Sequence, residues 1–145
     1  MDLLDTSALL AHFRGEAGAE LVQHLFDDDE AELVLASVTL PEFARRLDDL
    51  GFSEAEIQRV VGQYREAVSD IVAIDAAVAW QSYDLIRRIP QRLPLVDALI
   101  AAAARSRKAR LVHRDAHFRA IPVSLVAQLD LEDPVERGAR KPRRT

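Results

Sequence analysis

What most constrains this chain is that short, continuous apolar runs alternate with stretches of helical periodicity. Leu33-Val34-Leu35-Ala36 is apolar at every position, the pattern of a strand covered on both faces, as strands of parallel sheets are. Leu3-Leu4, Ile71-Val72-Ala73-Ile74 and Arg110-Leu111-Val112-His113 read the same way. Pro122–Val126 reads as a fifth strand at the sheet edge, where a proline is tolerated. Between these runs the apolar residues recur at helical spacing. Examples are Leu21, Val22, Leu25 and Phe26, then Leu40, Phe43 and Leu47, then Ile57, Val60, Val61 and Tyr64, and an alanine-rich helix from Leu95 to Arg107. Ser53-Glu54-Ala55-Glu56 is a capping box, and Gly51 closes the helix before it. Strands alternating with helices imply a parallel sheet with helices on both faces, in one three-layer α/β domain.

Composition narrows the class. A chain of 145 residues has the length of one domain. No apolar run approaches the roughly 18 residues of a membrane span, and no secretory leader is expected. With no cysteine there is neither a disulfide framework nor a thiolate zinc site. A cytoplasmic location is expected, with no membrane partner. The net charge of −5 is unevenly spread, because Arg137, Arg140, Lys141, Arg143 and Arg144 crowd one end against Glu136 alone. Residues 1–131 are therefore expected to form the folded domain and 132–145 a basic tail. The acidic body is not the footprint of a protein that coats nucleic acid.

Four acids fall in one kind of place. Asp5 follows the first strand, within Asp5-Thr6-Ser7. Glu42 lies in the first turn of the helix after the second strand, Asp97 opens the alanine-rich helix after Pro94, and Asp115 follows the fourth strand. Open α/β sheets bind ligands at the carboxyl ends of their strands, and all four acids belong to that edge. Each also has a structural role open to it. Asp5 suits a helix N-cap, and Glu42 the returning residue of a capping box Thr39-Leu40-Pro41-Glu42. Asp97 complements a helix N-terminus, and Asp115 suits a turn. Should the four converge, a cation is needed to keep them ionised together. Oxygen-only ligands suit Mg²⁺ or Mn²⁺. Mg²⁺ held by carboxylates takes phosphate oxygens, which points to phosphoryl chemistry.

Leu3-Leu4-Asp5-Thr6-Ser7-Ala8-Leu9, Thr39-Leu40-Pro41-Glu42-Phe43, Pro94-Leu95-Val96-Asp97-Ala98-Leu99-Ile100-Ala101 and Leu111-Val112-His113-Arg114-Asp115-Ala116-His117-Phe118 resemble the four acidic motifs of the PIN domain. They stand in order and with family-like spacing from residue 1 to about 126, most like the VapC-type toxins of prokaryotic toxin–antitoxin pairs. The resemblance implies an α/β/α domain with a central parallel sheet of about five strands. It implies a metal-dependent endoribonuclease that prefers single-stranded RNA, is usually a homodimer, and is held inactive by a cognate antitoxin. Asp5, Glu42, Asp97 and Asp115 would be both the catalytic and the metal-binding quartet, with Ser7 and His113 in support. His113 is a departure, standing where the family usually has Thr or Ser. Arg114 and Arg119, beside the quartet, are candidate RNA-phosphate contacts.

On this reading Asp5, Asp97 and Asp115 hold one Mg²⁺ (or Mn²⁺), with Glu42 acting through water or a second ion. The metal lowers the pKa of a bound water, and hydrolysis leaves 5′-phosphate and 3′-hydroxyl ends. His113 is open to a general acid–base role or to simple hydrogen bonding. His117 reads as packing with Phe118, and His12 and His24 as ordinary helix residues. A phosphotransfer receiver domain needs a lysine near its last strand, and neither Lys108 nor Lys141 is so placed. A phosphatase of the haloacid dehalogenase type needs an acid where Ser7 stands. The alternative from another class is a catalytically silent PIN-like module that binds its antitoxin in an autoregulatory complex.

Overall fold

The computed structural model describes residues 1–133. The basic tail expected at 132–145 lies, from residue 134 on, outside the described residues. The apolar runs form strands β1 (Asp2–Leu4), β2 (Leu33–Ala36), β3 (Asp70–Val72), β4 (Arg110–His113) and β5 (Gln128–Asp130). They make one parallel sheet in the order β3-β2-β1-β4-β5. Successive side chains of a strand point to opposite faces, so the runs supply two cores at once. Leu3, Val34, Ala36, Val72 and Leu111 enter one, and Leu4, Leu33, Leu35 and Val112 the other.

Helices α5 (Ala76–Arg88) and α6 (Leu95–Ser106) cover the first face. The second is covered by α1 (Thr6–Arg14), α2 (Ala19–Asp27), α3 (Thr39–Asp49) and α4 (Glu54–Ala67). The expected three-layer α/β/α domain with five parallel strands is what forms. The alanine run of α6 has its reason in packing: Ala101 to Ala104 are wholly buried, and their small side chains let α6 lie close to α5 and the sheet. Among the described residues no helix is long and apolar enough to cross a membrane.

The fifth strand differs from expectation. Residues 122–126 form a turn in which the Pro122 carbonyl accepts from the Leu125 and Val126 amides (2.9 and 3.2 Å), and the strand begins only at Gln128. Pairing in the sheet thus falls to a short polar segment rather than the apolar one.

The strand order has one consequence for function. The chain runs outward from β1 to β2 to β3, then returns and runs the other way through β4 and β5. The order reverses between β1 and β4, and open sheets bind ligands in the crevice at such a switch point. Asp5 follows β1 and Asp115 follows β4.

Candidate active site

Asp5 sits in extended backbone at the start of α1, and its Oδ2 accepts from the Ser7 amide (3.0 Å) and the Ser7 hydroxyl (2.6 Å). Its other oxygen, Oδ1, is buried and has no hydrogen-bond partner among the described residues. The cap reading is therefore correct for half of the carboxyl group and leaves the other half unexplained. Ser7 Oγ in turn accepts from the Arg114 amide (2.9 Å), tying the turn after β1 to the end of β4.

Glu42 does not close a capping box. The residue before α3, Val38, offers no side-chain cap, and Thr39 Oγ1 is buried without a partner among the described residues. Glu42 instead accepts across the molecule from the Thr6 hydroxyl. Asp97 lies in the first turn of α6, and Asp115 caps a 3-10 turn, Ala116–Ala120, by accepting from the His117 amide (2.9 Å). All four acids and Ser7 line one cleft of about 920 Å³ at the crevice between β1 and β4.

Their mutual influence is visible in their acidities. Burial pushes Asp5 up to about 7; the bonds from Ser7 oppose this, and the charges of Glu42 and Asp97 add to it. Burial pushes Asp97 up to about 6, helped by the charges of Asp115 and Glu42 and eased by His117. Burial favours the neutral form of a carboxyl, and neighbouring carboxylates add to that preference.

His113 is wholly buried, with Phe118 packed on its ring at 5.1 Å between centroids. Gln128 donates through Nε2 to the Ile121 carbonyl (2.8 Å), so its Oε1 accepts from His113 Nε2 (2.9 Å). Nδ1 is then a bare acceptor for the Asp115 amide (3.2 Å). Burial holds the ring's pKa down, which keeps this tautomer neutral. The ring supplies an acceptor where a hydroxyl was expected. His113→Ala leaves the Asp115 amide and Gln128 Oε1 unpaired around a void, and is expected to lower the unfolding free energy by about 2–4 kcal/mol. Urea denaturation measures this, and a loss within error of zero would show that the network contributes nothing.

Arg114 and Arg119 are engaged with carboxylates. Arg114 meets Glu16 (2.6 Å) and Glu132 (3.4 Å), and Arg119 meets Asp130 (2.6 Å) and Glu132 (2.7 Å). Two other arginines line the cleft unannounced by the sequence reading. Glu42, Arg45, Arg46 and Asp49 share one face of α3, at i, i+3, i+4 and i+7, and all four line the cleft. Among the described residues neither Arg45 nor Arg46 has an ion-pair partner. The helical spacing from Glu42 was the signal that would have found them.

His117 differs from the expected packing with Phe118. Phe118 packs on His113, whereas His117 is half exposed and turns Nδ1 towards Asp115 Oδ1 (3.0 Å) and Asp97 Oδ2 (3.3 Å). An Asp-X-His spacing at a strand end was its only sequence signal.

Comparison with known proteins agrees with this geometry. The PIN domain model matches residues 3–123. Ribonuclease VapC11 of Mycobacterium tuberculosis is 33% identical over 125 residues, covering 83% of this chain and 91% of that protein. Among solved structures, VapBC2 of Rickettsia felis bound to a DNA fragment from its promoter superposes with a TM-score of 0.70 at 16% identity, over 88% of this chain and 96% of that one. VapC20 of Mycobacterium tuberculosis, a sarcin–ricin loop cleaving toxin, superposes at 0.66 with 18% identity, over 83% and 94%. The structural likenesses speak for the fold; the family match and the one-third identity to a VapC ribonuclease speak for descent. On those grounds the chain belongs to the PIN domain family.

Proposed function

We propose that this chain is the toxin of a toxin–antitoxin pair, an Mg²⁺- or Mn²⁺-dependent endoribonuclease that cuts single-stranded cellular RNA in the cytoplasm. It acts as a homodimer and is silenced by a cognate antitoxin. One observation carries the reading: acids from four separate segments share one cleft, where Asp5 keeps a buried oxygen without a partner among the described residues. A hard divalent cation suits that donor set and offsets its charge. Descent supports RNA as the substrate, since the relatives bear the name ribonuclease. The solved VapBC complexes support an antitoxin as partner.

Asp5, Asp97 and Asp115 would hold the ion, with Glu42 beside them. When bound, it supplies charge neutralisation at a phosphate and a lowered pKa for water. The chain's own residues supply position. Ser7 fixes one oxygen of Asp5 and leaves the other free; Thr6 aims Glu42. His113 holds the Asp115 peptide in place. Arg45 and Arg46, without an ion-pair partner among the described residues, set two guanidinium groups beside the acids, where a phosphodiester backbone would lie. Arg114 and Arg119 keep a place in the RNA reading only if RNA phosphate displaces their carboxylate partners.

The test is a denaturing gel of total cellular RNA with purified, partner-free protein in Mg²⁺, in Mn²⁺ and in chelator. A discrete cut with 5′-phosphate ends, lost on chelation, is expected. Cleavage that survives chelation, or leaves 2′,3′-cyclic phosphates, rules out the metal-dependent scheme. Folded protein that cuts nothing shifts the reading to the silent binding module. For the arginines, Arg45→Ala combined with Arg46→Ala is expected to raise KM roughly tenfold with kcat nearly unchanged. The salt dependence of RNA affinity should flatten by about 0.7 log units per arginine lost. An unaltered KM and slope would remove both residues from the RNA path.

A further inference from the structure

Resting on that reading of a divalent-metal site, we propose that His117 is a nitrogen ligand of the site, joining Asp97 and Asp115, and that it biases the protein towards Mn²⁺ over Mg²⁺. The carboxylates alone do not distinguish the two ions. The imidazole does.

Local structure builds the position. Asp115 ends the extended stretch after β4 and caps the 3-10 turn, so a single oxygen, Oδ1, accepts from the His117 amide (2.9 Å) and meets the His117 ring at Nδ1 (3.0 Å). The same Nδ1 lies 3.3 Å from Asp97 Oδ2, on α6. One donor atom from each of Asp97, Asp115 and His117 falls within 4.8 Å of the others. Neighbouring donors of an octahedral shell with bonds of about 2.1 Å stand about 3 Å apart, and opposite ones about 4.2 Å. The two distances from Nδ1, those of His–carboxylate pairs, are also compatible with the edges of such a shell. Independently, Asp5 lines the same cleft with a buried Oδ1 that has no partner among the described residues, and its carboxyl feels the charge of Asp97. An oxygen buried without a partner in the cleft that holds these three donors is one a cation there would serve.

The selectivity follows from ligand chemistry. Mg²⁺ binds oxygen, dehydrates reluctantly and gains little from an imidazole. Later divalent ions accept nitrogen progressively better, with Mn²⁺ the first in that order. His117 is half exposed and packs into neither core, so its replacement should leave the fold intact.

The experiment uses the full-length protein without RNA. Pulsed electron paramagnetic resonance of bound Mn²⁺ reads directly whether a ¹⁴N nucleus is bonded to the ion, and calorimetry gives the Mn²⁺ and Mg²⁺ affinities. Wild type should show a directly coupled nitrogen. His117→Ala should lose it and bind Mn²⁺ roughly tenfold more weakly, with Mg²⁺ affinity changed by less than about threefold. Mn²⁺ bound by wild type with an oxygen-only shell would overturn the assignment while leaving the metal-dependent nuclease standing. A nitrogen signal that persists in His117→Ala would overturn it in favour of another histidine. Failure of wild type to bind Mn²⁺ at all would overturn both.

Discussion

Asp5→Asn is expected to abolish RNA cleavage, by a factor of about a thousand or more, while leaving the protein folded and at least as stable as wild type at pH 8 without metal. The two halves of that expectation come from the two oxygens of one side chain. Asparagine is as good an N-cap as aspartate, and its single carbonyl oxygen still accepts from the Ser7 amide, so α1 keeps its start. What is lost is the negative charge of a carboxyl that lines the cleft with the other acids and whose buried Oδ1 has no hydrogen-bond partner among the described residues. A ligand charge stabilising a transition state at phosphorus contributes several kcal/mol, and each 1.36 kcal/mol is a factor of ten in rate. In the metal-free protein the same anion is a liability. Raising Asp5 from 3.8 to about 7 corresponds to about 4 kcal/mol against ionising it in the folded state, an upper bound to what the neutral amide recovers. Cleavage rates on total RNA and melting temperatures of both proteins decide the matter. An insoluble or unfolded variant would return Asp5 to a capping role, and retained cleavage would take it out of the catalytic set.

The sequence revealed what depends on local pattern and hid what depends on partners far along the chain. β2 was legible because a strand covered twice must be apolar at every position, and Leu33 to Ala36 are all buried. β5 was not legible. It is an edge strand of Gln128, Leu129 and Asp130, two of them polar and held by His113 and Arg119, while the apolar run before it turns back on Pro122. The four acids were found by their places after strands and at helix starts, which chain order alone exposes. Their second partners were not. Thr39 to Glu42 has the letters of a capping box, yet Glu42 bonds to Thr6, 36 residues away, because the crevice brings α1 and α3 together. Arg45 and Arg46 carry no signal in the sequence beyond their helical spacing from Glu42, and it is that same meeting that gives the α3 face something to line. His117 shows the limit most clearly: its ring nitrogen meets Asp115 in its own turn and Asp97 on α6, and the second contact joins segments that the sequence keeps apart.

The same crowded carboxyls set how stability depends on pH and on metal. An acid whose pKa is higher in the folded than in the unfolded chain leaves the folded state holding more protons between the two values, so stability falls as pH rises through that window. For Asp5 the window runs from 3.8 to about 7, and for Asp97 from 3.8 to about 6. Metal-free protein should therefore be most stable in mild acid and lose stability progressively up to neutral pH, by a few kcal/mol at most. Below that window the opposite force takes over: Asp84, held below its ordinary value by hydrogen bonds from Arg88 and Arg105, gives up its contribution as it protonates. A divalent ion binds the deprotonated carboxylates only, so its stabilisation has the reverse profile. At a hundred times its dissociation constant it adds about 2.7 kcal/mol, in full at pH 8 and almost nothing at pH 5, where protons hold the site. Melting curves across pH 4 to 8, with and without Mn²⁺, should cross, with metal-free protein losing stability towards pH 8 and Mn²⁺ restoring it there. In the double variant Asp5→Asn, Asp97→Asn the slope through this window and the metal response should disappear together, because one set of charges causes both. A wild-type profile flat through the window, or a Mn²⁺ effect as large at pH 5 as at pH 8, would mean that the four acids do not share a cation.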